Sequence, residues 1–579
     1  MQNRENGELH AKNATIYTVT ANCHDCYRCV RGCPVKAISV TDGQARIVDD
    51  LCIKCGICVR ECPQHAKAIR NSLDDAKLLL QLQRPVAASV APSFAAAFGG
   101  WRSNHLPAAL RCLGFSYVSE TAEGAALSTK KSFAEASPGS LCSACPAVIS
   151  YIEKYRPNYV DAVIPISSPM IAHGRLLKKR LGPEWAVVFI GPCAAKKDEA
   201  LRPENAGVID VVLTFAELNQ WLEEESIDFA NCPESGFESF GALDRARLFP
   251  LPGGMLKTGG IETDGFSAKT MHTSGADAVI TLLELQPQEW DFDVAECLFC
   301  HDGCINGPGM PEAAIGKNTF LKKLDVLNYV QRAGPGSGEL DHSVNIPGRF
   351  AADKTRIHNA PVSESDIQKV LEATDKGTPD KQNNCGACGY KTCREKAIAV
   401  IRGMAELGMC MPYMRRQAQQ RTDRIIESSP NGVVVLNENL AIVQLNPAFR
   451  KMFHCDKSAI GCRISFLLDA DGFEHLASNI GEEYEAIKSK YGMRYHEQLY
   501  ALRDEKQYVG IFTDISTFTF NKRQIDLIKR QTLEQAHELL DHQIRVSQEM
   551  AHYLGRSTAK GEELVRRLVD LYQKEEVQK

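Results

Sequence analysis

The chain has 579 residues, 44% hydrophobic and 24% charged, with a formal net charge of -5. That length suits about four domains; the ordinary apolar balance can build several cores, and the small negative charge excludes a broad basic surface for nucleic acid. No window approaches the run of about 18 apolar residues that a membrane span needs, and residues 1–12 lack the apolar core of a secretory signal. The expectation is a cytoplasmic protein without a membrane part. In that reducing compartment the 22 cysteines serve as metal ligands rather than disulfides.

Residues 1–72 carry two Cys-x-x-Cys-x-x-Cys-x-x-x-Cys-Pro runs. Cys23, Cys26, Cys29 and Cys33 precede Pro34, and Cys52, Cys55, Cys58 and Cys62 precede Pro63, at an offset of 29 residues. At this pitch three thiolates wrap one corner of an iron-sulfur cube, and the fourth, turned away by proline, reaches the neighbouring cube. The reading is two 4Fe-4S clusters, one on Cys23, Cys26, Cys29 and Cys62, the other on Cys52, Cys55, Cys58 and Cys33. The alternatives are a disulfide framework or zinc knuckles, whose usual spacings differ. The segment is expected as a ferredoxin-like two-cluster α+β domain, with residues 37–40 and 45–48 pairing as short strands.

A helix over 72–82 leads into residues 86–90, an apolar run short enough for a buried strand. Strands at 186–190 and 208–214 then alternate with helices at 169–181 and 215–225, the rhythm of a parallel sheet with covering helices. This α/β domain spans 73–335 and closes on the loop Gly334-Pro-Gly-Ser-Gly338. A linker over 336–380 contains a short helix opened by the capping box Ser363-x-x-Asp366. Residues 381–416 hold Cys385, Cys388, Cys393 and Cys410, with 397–407 expected as the helix that returns Cys410. Gly386 and Gly389 let backbone amides turn toward a cluster's sulfides; zinc suits four thiolates equally, and only the spacing argues for iron and sulfur.

Residues 417–518 read as mixed helix and strand, with strands at 432–436, 442–445 and 508–515 and a helix opened by Asn446-Pro447. Over 519–579, two helices carry apolar stripes, one through Ile525, Ile528, Leu539 and Ile544, the other through Leu564, Leu568 and Leu571. Such stripes are a coiled-coil or dimer seam by default. The fold class expected for the whole is multidomain α/β.

Three further motifs lie in the central domain: Cys142-Ser-Ala-Cys145-Pro146, Gly191-Pro-Cys193-Ala-Ala-Lys196-Lys-Asp-Glu199, and Glu296-Cys-Leu-Phe-Cys300-His-Asp-Gly-Cys304. Over roughly residues 75–335 the chain resembles the iron-iron hydrogenases, whose H-cluster domain carries three matching motifs in this order. The resemblance implies that Cys145, Cys193, Cys300 and Cys304 hold a 4Fe-4S cube, with Cys304 bridging to a diiron subcluster bearing CO, CN and dithiolate ligands. It implies that Lys196 gives a charge-assisted hydrogen bond to one cyanide and that Ser93 serves the other. Glu199 would brace the site, and Glu123 would belong to its proton relay. The plainer alternatives are a surface lysine at Lys196, with Lys197 equally placed to be the solvated one, and a turn serine at Ser93. Cys142 and Cys297 read as small buried fillers, Cys142 also as an alternative proton route, and Cys112, Cys232, Cys455 and Cys462 as structural.

The chain also departs from that family. Ala144 stands where the family has a proton-donating thiol, and Glu123-Gly-Ala-Ala126 lacks the second carboxylate of a Glu-Gly-x-Glu pair. Bulky methionines become Gly191 and Leu298. Losing one general acid costs about 10²–10⁴ in rate, so two gaps in one relay imply slow turnover.

The module at 381–416 resembles the small 4Fe-4S domain of electron-transport and corrinoid-linked proteins, and 417–518 resembles a PAS domain. Cys462 resembles the flavin-reactive cysteine of light sensors only faintly, since the flanking asparagine and glutamine are absent. The whole order resembles the sensory, PAS-bearing iron-iron hydrogenases. That implies reaction with dihydrogen and protons in an anaerobic host, with hydrogenase maturases, ferredoxin and a signalling kinase or phosphatase as partners, and a homodimer formed through the PAS domain and C-terminal helices. A catalytic ferredoxin-linked hydrogenase and an iron-sulfur scaffold without a diiron unit are the other readings.

Overall fold

The computed structural model describes residues 14–516, apart from 83, 242, 244, 262–268, 335–338, 354–360, 479–480 and 504–505. The expected transmitter helices over 519–579, with their dimer seam, lie outside the described residues, as do residues 1–12. Two compact units are present, Met1–Cys410 and Met411–Lys579, in a multidomain arrangement of mixed helix and strand. Among the described residues no helix is long and apolar enough to cross a membrane.

In the first unit the cysteine repeat is also a repeat of backbone shape. Left-handed residues recur at Asp25 and Lys54, Tyr27 and Gly56, and Lys36 and His65, each pair separated by the same 29 positions as the cysteines. They wind the chain tightly on either side of the short helices Arg28–Gly32 and Ile57–Glu61. Ile38–Thr41 and Gln44–Ile47 form a hairpin through Asp42-Gly43, both at positive φ, as a primed hairpin turn requires. Ile16–Thr18 pairs antiparallel with Lys67–Ile69.

In the central domain, Val86–Val90 and Ala186–Gly191 are buried along their whole length, which explains their continuous apolar sequence. They are the middle strands of a four-stranded parallel sheet edged by Tyr117–Glu120 and Val211–Thr214. A second parallel sheet has the order Thr270–Ser274, Val294–Leu298, Ser140–Leu141. Ligands of open parallel sheets gather at the carboxyl ends of the strands. Ser93, Cys193, Cys145 and Cys300 all lie just beyond such ends, drawn from both sheets.

Helix Pro169–Leu181 forms as expected, and Phe215–Glu224 opens on a capping box between Thr214 and Glu217. Gly124 lets helix Ala122–Glu135 approach helix Pro169–Leu181, since a Cβ there would stand 2.2 Å from the Pro169 carbonyl oxygen.

Three local expectations need correction. Lys197 is not solvated: it is 1% exposed and donates to Ser72 Oγ (2.9 Å), Val212 O (2.8 Å) and Glu217 Oε1 (2.9 Å). Three acceptors satisfy its three ammonium protons, and removing one partner of such a buried pair costs about 3–5 kcal/mol. The helix expected over 397–407 instead runs Cys393–Ile401, capped by Thr392, because Gly403 turns left-handed and a 3-10 turn, Leu407–Met409, brings Cys410 back. Cys112 and Cys462 are exposed rather than structural, whereas Cys232, Cys142 and Cys297 are buried.

The second unit holds one antiparallel sheet in the order Ile442–Leu445, Gly432–Asn437, Gln507–Asp514, Met493–Leu502, Glu483–Lys490. Phe449, Phe453, Phe473, Tyr495 and Phe512 fill its core. Buried Asn446 opens helix Pro447–Met452: its Oδ1 accepts from Val433 N and Phe449 N, and its Nδ2 donates to Ile426 O and Asn431 O. All its hydrogen-bonding capacity is spent on holding strand, helix and preceding segment in register.

Candidate metal centre

Cys145 is the N-cap of helix Pro146–Tyr155, with proline at the first helical position. Cys193 joins strand Ala186–Gly191 to helix Ala195–Ala200. Cys300 and Cys304 flank a turn in which Gly303 adopts positive φ, with no room for a Cβ against the Pro250 carbonyl (2.3 Å), while Cys304 N donates to that carbonyl at 2.8 Å.

The four thiols lie near enough to act on one another electrostatically. Burial pushes Cys193 up to about 11, and Cys145 adds to the rise. Cys300 is raised by burial and by Cys193 and Cys145, and Cys304 by burial and by Cys300, Cys145 and Cys193. Lys196 is the cation that opposes the rise at Cys193 and Cys304. Four half-buried sulfur donors fit a thiolate-bound, soft-metal group such as an iron-sulfur cube, because metal coordination supplies the charge compensation that bare thiolates here would lack.

Lys196 is 8% exposed and donates to Ser168 Oγ (2.8 Å) and Glu199 Oε2 (2.7 Å). Glu199 is thus tied to the lysine. Ser93 is 1% exposed, at the head of helix Phe94–Ala97. Glu123 has its own partners: its carboxylate meets Arg180 at 2.9 Å and accepts the Phe240 N–H at 3.1 Å, and burial still pushes it up to about 7. Ala144 and Ala126 border one apolar cluster with Leu127, Cys142, Ile166 and Met255. Gly191 leaves no free space either, because the Phe189 ring lies 2.6 Å from where its Cβ would be.

The other sulfur sets also gather. Burial raises Cys29 to about 11, with Cys26, Cys23 and Cys62 adding to it. Cys55 is raised by burial and by Cys33, Cys58 and Cys52. A cavity opens among Cys33, Cys52, Cys55 and Cys58, walled by Ile16, Ile38 and other apolar side chains. In the small module Cys388 is raised by burial and by Cys410 and Cys385, and Lys396 lies near Cys410, Cys388 and Cys393. Among the described residues no three such side chains close onto a single ion.

A family model for the C-terminal domain of the iron-only hydrogenase large subunit matches residues 84–308. Residues 84–308 are thus a hydrogenase-like domain. A 4Fe-4S dicluster domain matches residues 15–76, an Fe-S cluster domain 382–412, and a PAS domain 420–487. The NADP-reducing hydrogenase subunit HndD of Solidesulfovibrio fructosivorans is 26% identical over 371 residues, 54% of this chain and 60% of that protein. The cytosolic Fe-S cluster assembly factor NAR1 of Vanderwaltozyma polyspora is 37% identical over 97 residues, 16% of this chain and 18% of that protein. The chain therefore spans less than two thirds of the length of these relatives. A solved FeFe-hydrogenase from Chlamydomonas reinhardtii is 19% identical, covering 49% of this chain and 99% of that one at a TM-score of 0.37.

Sequence reasoning missed three residues near the sulfur sets. Lys67, 3% exposed, donates to Ala45 O (2.6 Å) and Thr18 Oγ1 (2.7 Å) and sits by both Cys29 and Cys58. Lys396, 4% exposed, donates to Leu407 O (2.9 Å). Glu296, 1% exposed, lies beside Cys142 and Cys297, with Oε2 accepting from Met255 N (3.1 Å). The signal for the lysines was their place in short cysteine-rich segments; nothing in a lone motif glutamate marks it as buried.

Proposed function

We propose that the chain is an iron-iron hydrogenase of low turnover whose purpose is to report dihydrogen. The observation that carries this reading is the buried Lys196 beside four thiols that act on one another electrostatically, combined with methyl groups at the relay positions Ala144 and Ala126. When bound, the diiron subcluster with CO, CN and dithiolate ligands would supply the chemistry of dihydrogen cleavage. Cys145, Cys193, Cys300 and Cys304 would hold the cube and anchor that subcluster, and Lys196 and Ser93 would face its cyanides. Ser168 and Glu199 orient the Lys196 ammonium. Cys23, Cys26, Cys29 and Cys62, then Cys33, Cys52, Cys55 and Cys58, then Cys385, Cys388, Cys393 and Cys410 would hold the remaining 4Fe-4S clusters. Redox state would pass to the PAS domain and from there to a kinase or phosphatase.

Protons have one buried holder close to Cys142. Burial pushes Glu296 up to about 8, against hydrogen bonds from Leu256, Met255 and Gly253, so at neutral pH its carboxyl keeps a proton. Because the folded value lies above the ordinary 4.5, stability linked to this proton is full below pH 4.5 and is lost as pH rises through about 8. Infrared spectra should show a protonated-carboxyl band that persists through neutral pH, fades above about 8 and is missing in Glu296→Gln. A band that fades near pH 4.5 would remove Glu296 as a proton holder.

The second reading, a cluster scaffold without the diiron unit, draws on the likeness to the assembly factor. Infrared spectroscopy on protein matured with hydrogenase maturases separates the two. The hydrogenase reading expects CO and CN bands that change between argon and hydrogen. Cubes without those bands would establish the scaffold.

A further inference from the structure

The single-cluster module and the ferredoxin repeat share one buried core. Tyr390, Met404, Ala405 and Met409 pack with Val30 and Cys33. Gly389 lies so close to helix Arg28–Gly32 that a Cβ would stand 2.8 Å from Val30 Cγ1 and 3.1 Å from Arg31 N. Arg31 Nη1 donates to Ala387 O at 3.0 Å, and Val40 N to Met404 O at 3.1 Å. The Lys36 ammonium stands 5.9 Å over the Tyr390 ring while donating to Val30 O at 2.9 Å.

The same sulfur set has a second neighbour. Helix Pro146–Tyr155 begins at Cys145 and ends where Tyr155 Oη donates to Leu51 O at 2.6 Å and Lys154 Nζ to Cys52 O at 3.0 Å. Gly56, next to Cys55, touches Pro308 so closely that a Cβ would lie 2.4 Å from its ring.

We propose that the Cys33, Cys52, Cys55 and Cys58 set is a branch point, joined to the central domain along helix Pro146–Tyr155 and to the 385–410 module through Lys36 and Tyr390. The proposal rests on the cluster assignments of the proposed function and is independent of its diiron part. A transfer across the second joint removes one electron from the branch-point set and adds one to the module; no bond changes and no proton moves. Lys36 N donates to Cys33 O at 3.4 Å, while its ammonium stands over Tyr390, two residues beyond Cys388. A cation between two such sets favours an added electron on either one, so Lys36 ties their potentials together. The module would then be a side branch that is charged only when the branch point is reduced, as a reporter of redox state requires.

The test uses full-length protein made without maturases, so that only cubes are present. Iron content and Mössbauer spectra establish four cubes per chain, and Cys393→Ala identifies the module's signal by its loss. In a potentiometric EPR titration of the wild type, the reduced module signal is expected to be broadened by coupling to the branch-point cube. Lys36→Gln is expected to move both potentials negative together while the cube on Cys23, Cys26, Cys29 and Cys62 stays put. Arg31→Ala, which removes only the hydrogen bond to Ala387 O across this joint, should weaken the broadening at unchanged iron content. A magnetically isolated module in the wild type, or Lys36→Gln moving one potential or neither, overturns the branch. Fewer than four cubes in the wild type overturns the cluster assignment itself, and the branch with it.

Discussion

The paired substitution Ala144→Cys with Ala126→Glu is expected to raise hydrogen turnover by about 10²–10⁴, and Ala144→Cys alone by less than about tenfold. Both alanines border the same apolar cluster with Leu127, Cys142 and Met255. A thiol placed at 144 would therefore lie in apolar packing and lack the carboxylate that the family's pair supplies at 126. Glu123, bound by Arg180 and the Phe240 N–H and pushed up to about 7 by burial, would be the carboxylate from which a glutamate at 126 takes its protons. A glutamate at 126 has to be buried in apolar surroundings, which raises its pKa and keeps it able to exchange protons near neutrality. Turnover is measured as hydrogen oxidation per diiron unit, with CO band intensity giving the cofactor content of each variant. If the single substitution yields the full rise, a proton source other than position 126 lies within reach of 144. If neither variant rises, proton delivery does not limit the wild type, and the two methyl groups are not the cause of slow turnover.

The cluster-bearing skeleton was legible because cysteine spacing is a local code. The 29-residue repeat fixes not only which thiols group together but also the left-handed turns at Asp25 and Lys54 and at Tyr27 and Gly56. Fully buried strands such as Val86–Val90 were legible for a similar reason, since an apolar run with no polar alternation has few other fates. Lys197 was not legible. Its burial depends on Glu217, Ser72 and Val212 arriving from three other segments, and no feature of the sequence Ala-Lys-Lys-Asp marks that convergence. The same holds for Glu296, whose environment is set by the backbone of Met255 and Leu256 about forty residues away. The helix end at Ile401 is masked in the sequence because alanine and leucine propensity runs on past Gly403, whose positive φ stops the helix.

Replacing Lys196 by methionine is expected to cut retention of the diiron subcluster by a factor of about 10–150, while the cubes stay loaded. The magnitude follows from a charge-assisted hydrogen bond worth about 1.5–3 kcal/mol, at about 1.4 kcal/mol per tenfold. Methionine keeps the length and the buried apolar stem, so the loss isolates the ammonium. Ser168 and Glu199 hold that ammonium at 2.8 Å and 2.7 Å, which leaves its third proton for a ligand. Lys196→Arg should fail almost as badly, because a planar guanidinium does not present three protons from one point. Glu199→Gln is expected to fall between, keeping an acceptor near the lysine but removing the countercharge. CO and CN band intensities, normalised to cube iron, measure all three. Intact bands in Lys196→Met would show that the thiols alone retain the subcluster, and the buried lysine would then be a packing feature of helix Ala195–Ala200 rather than a ligand of the site.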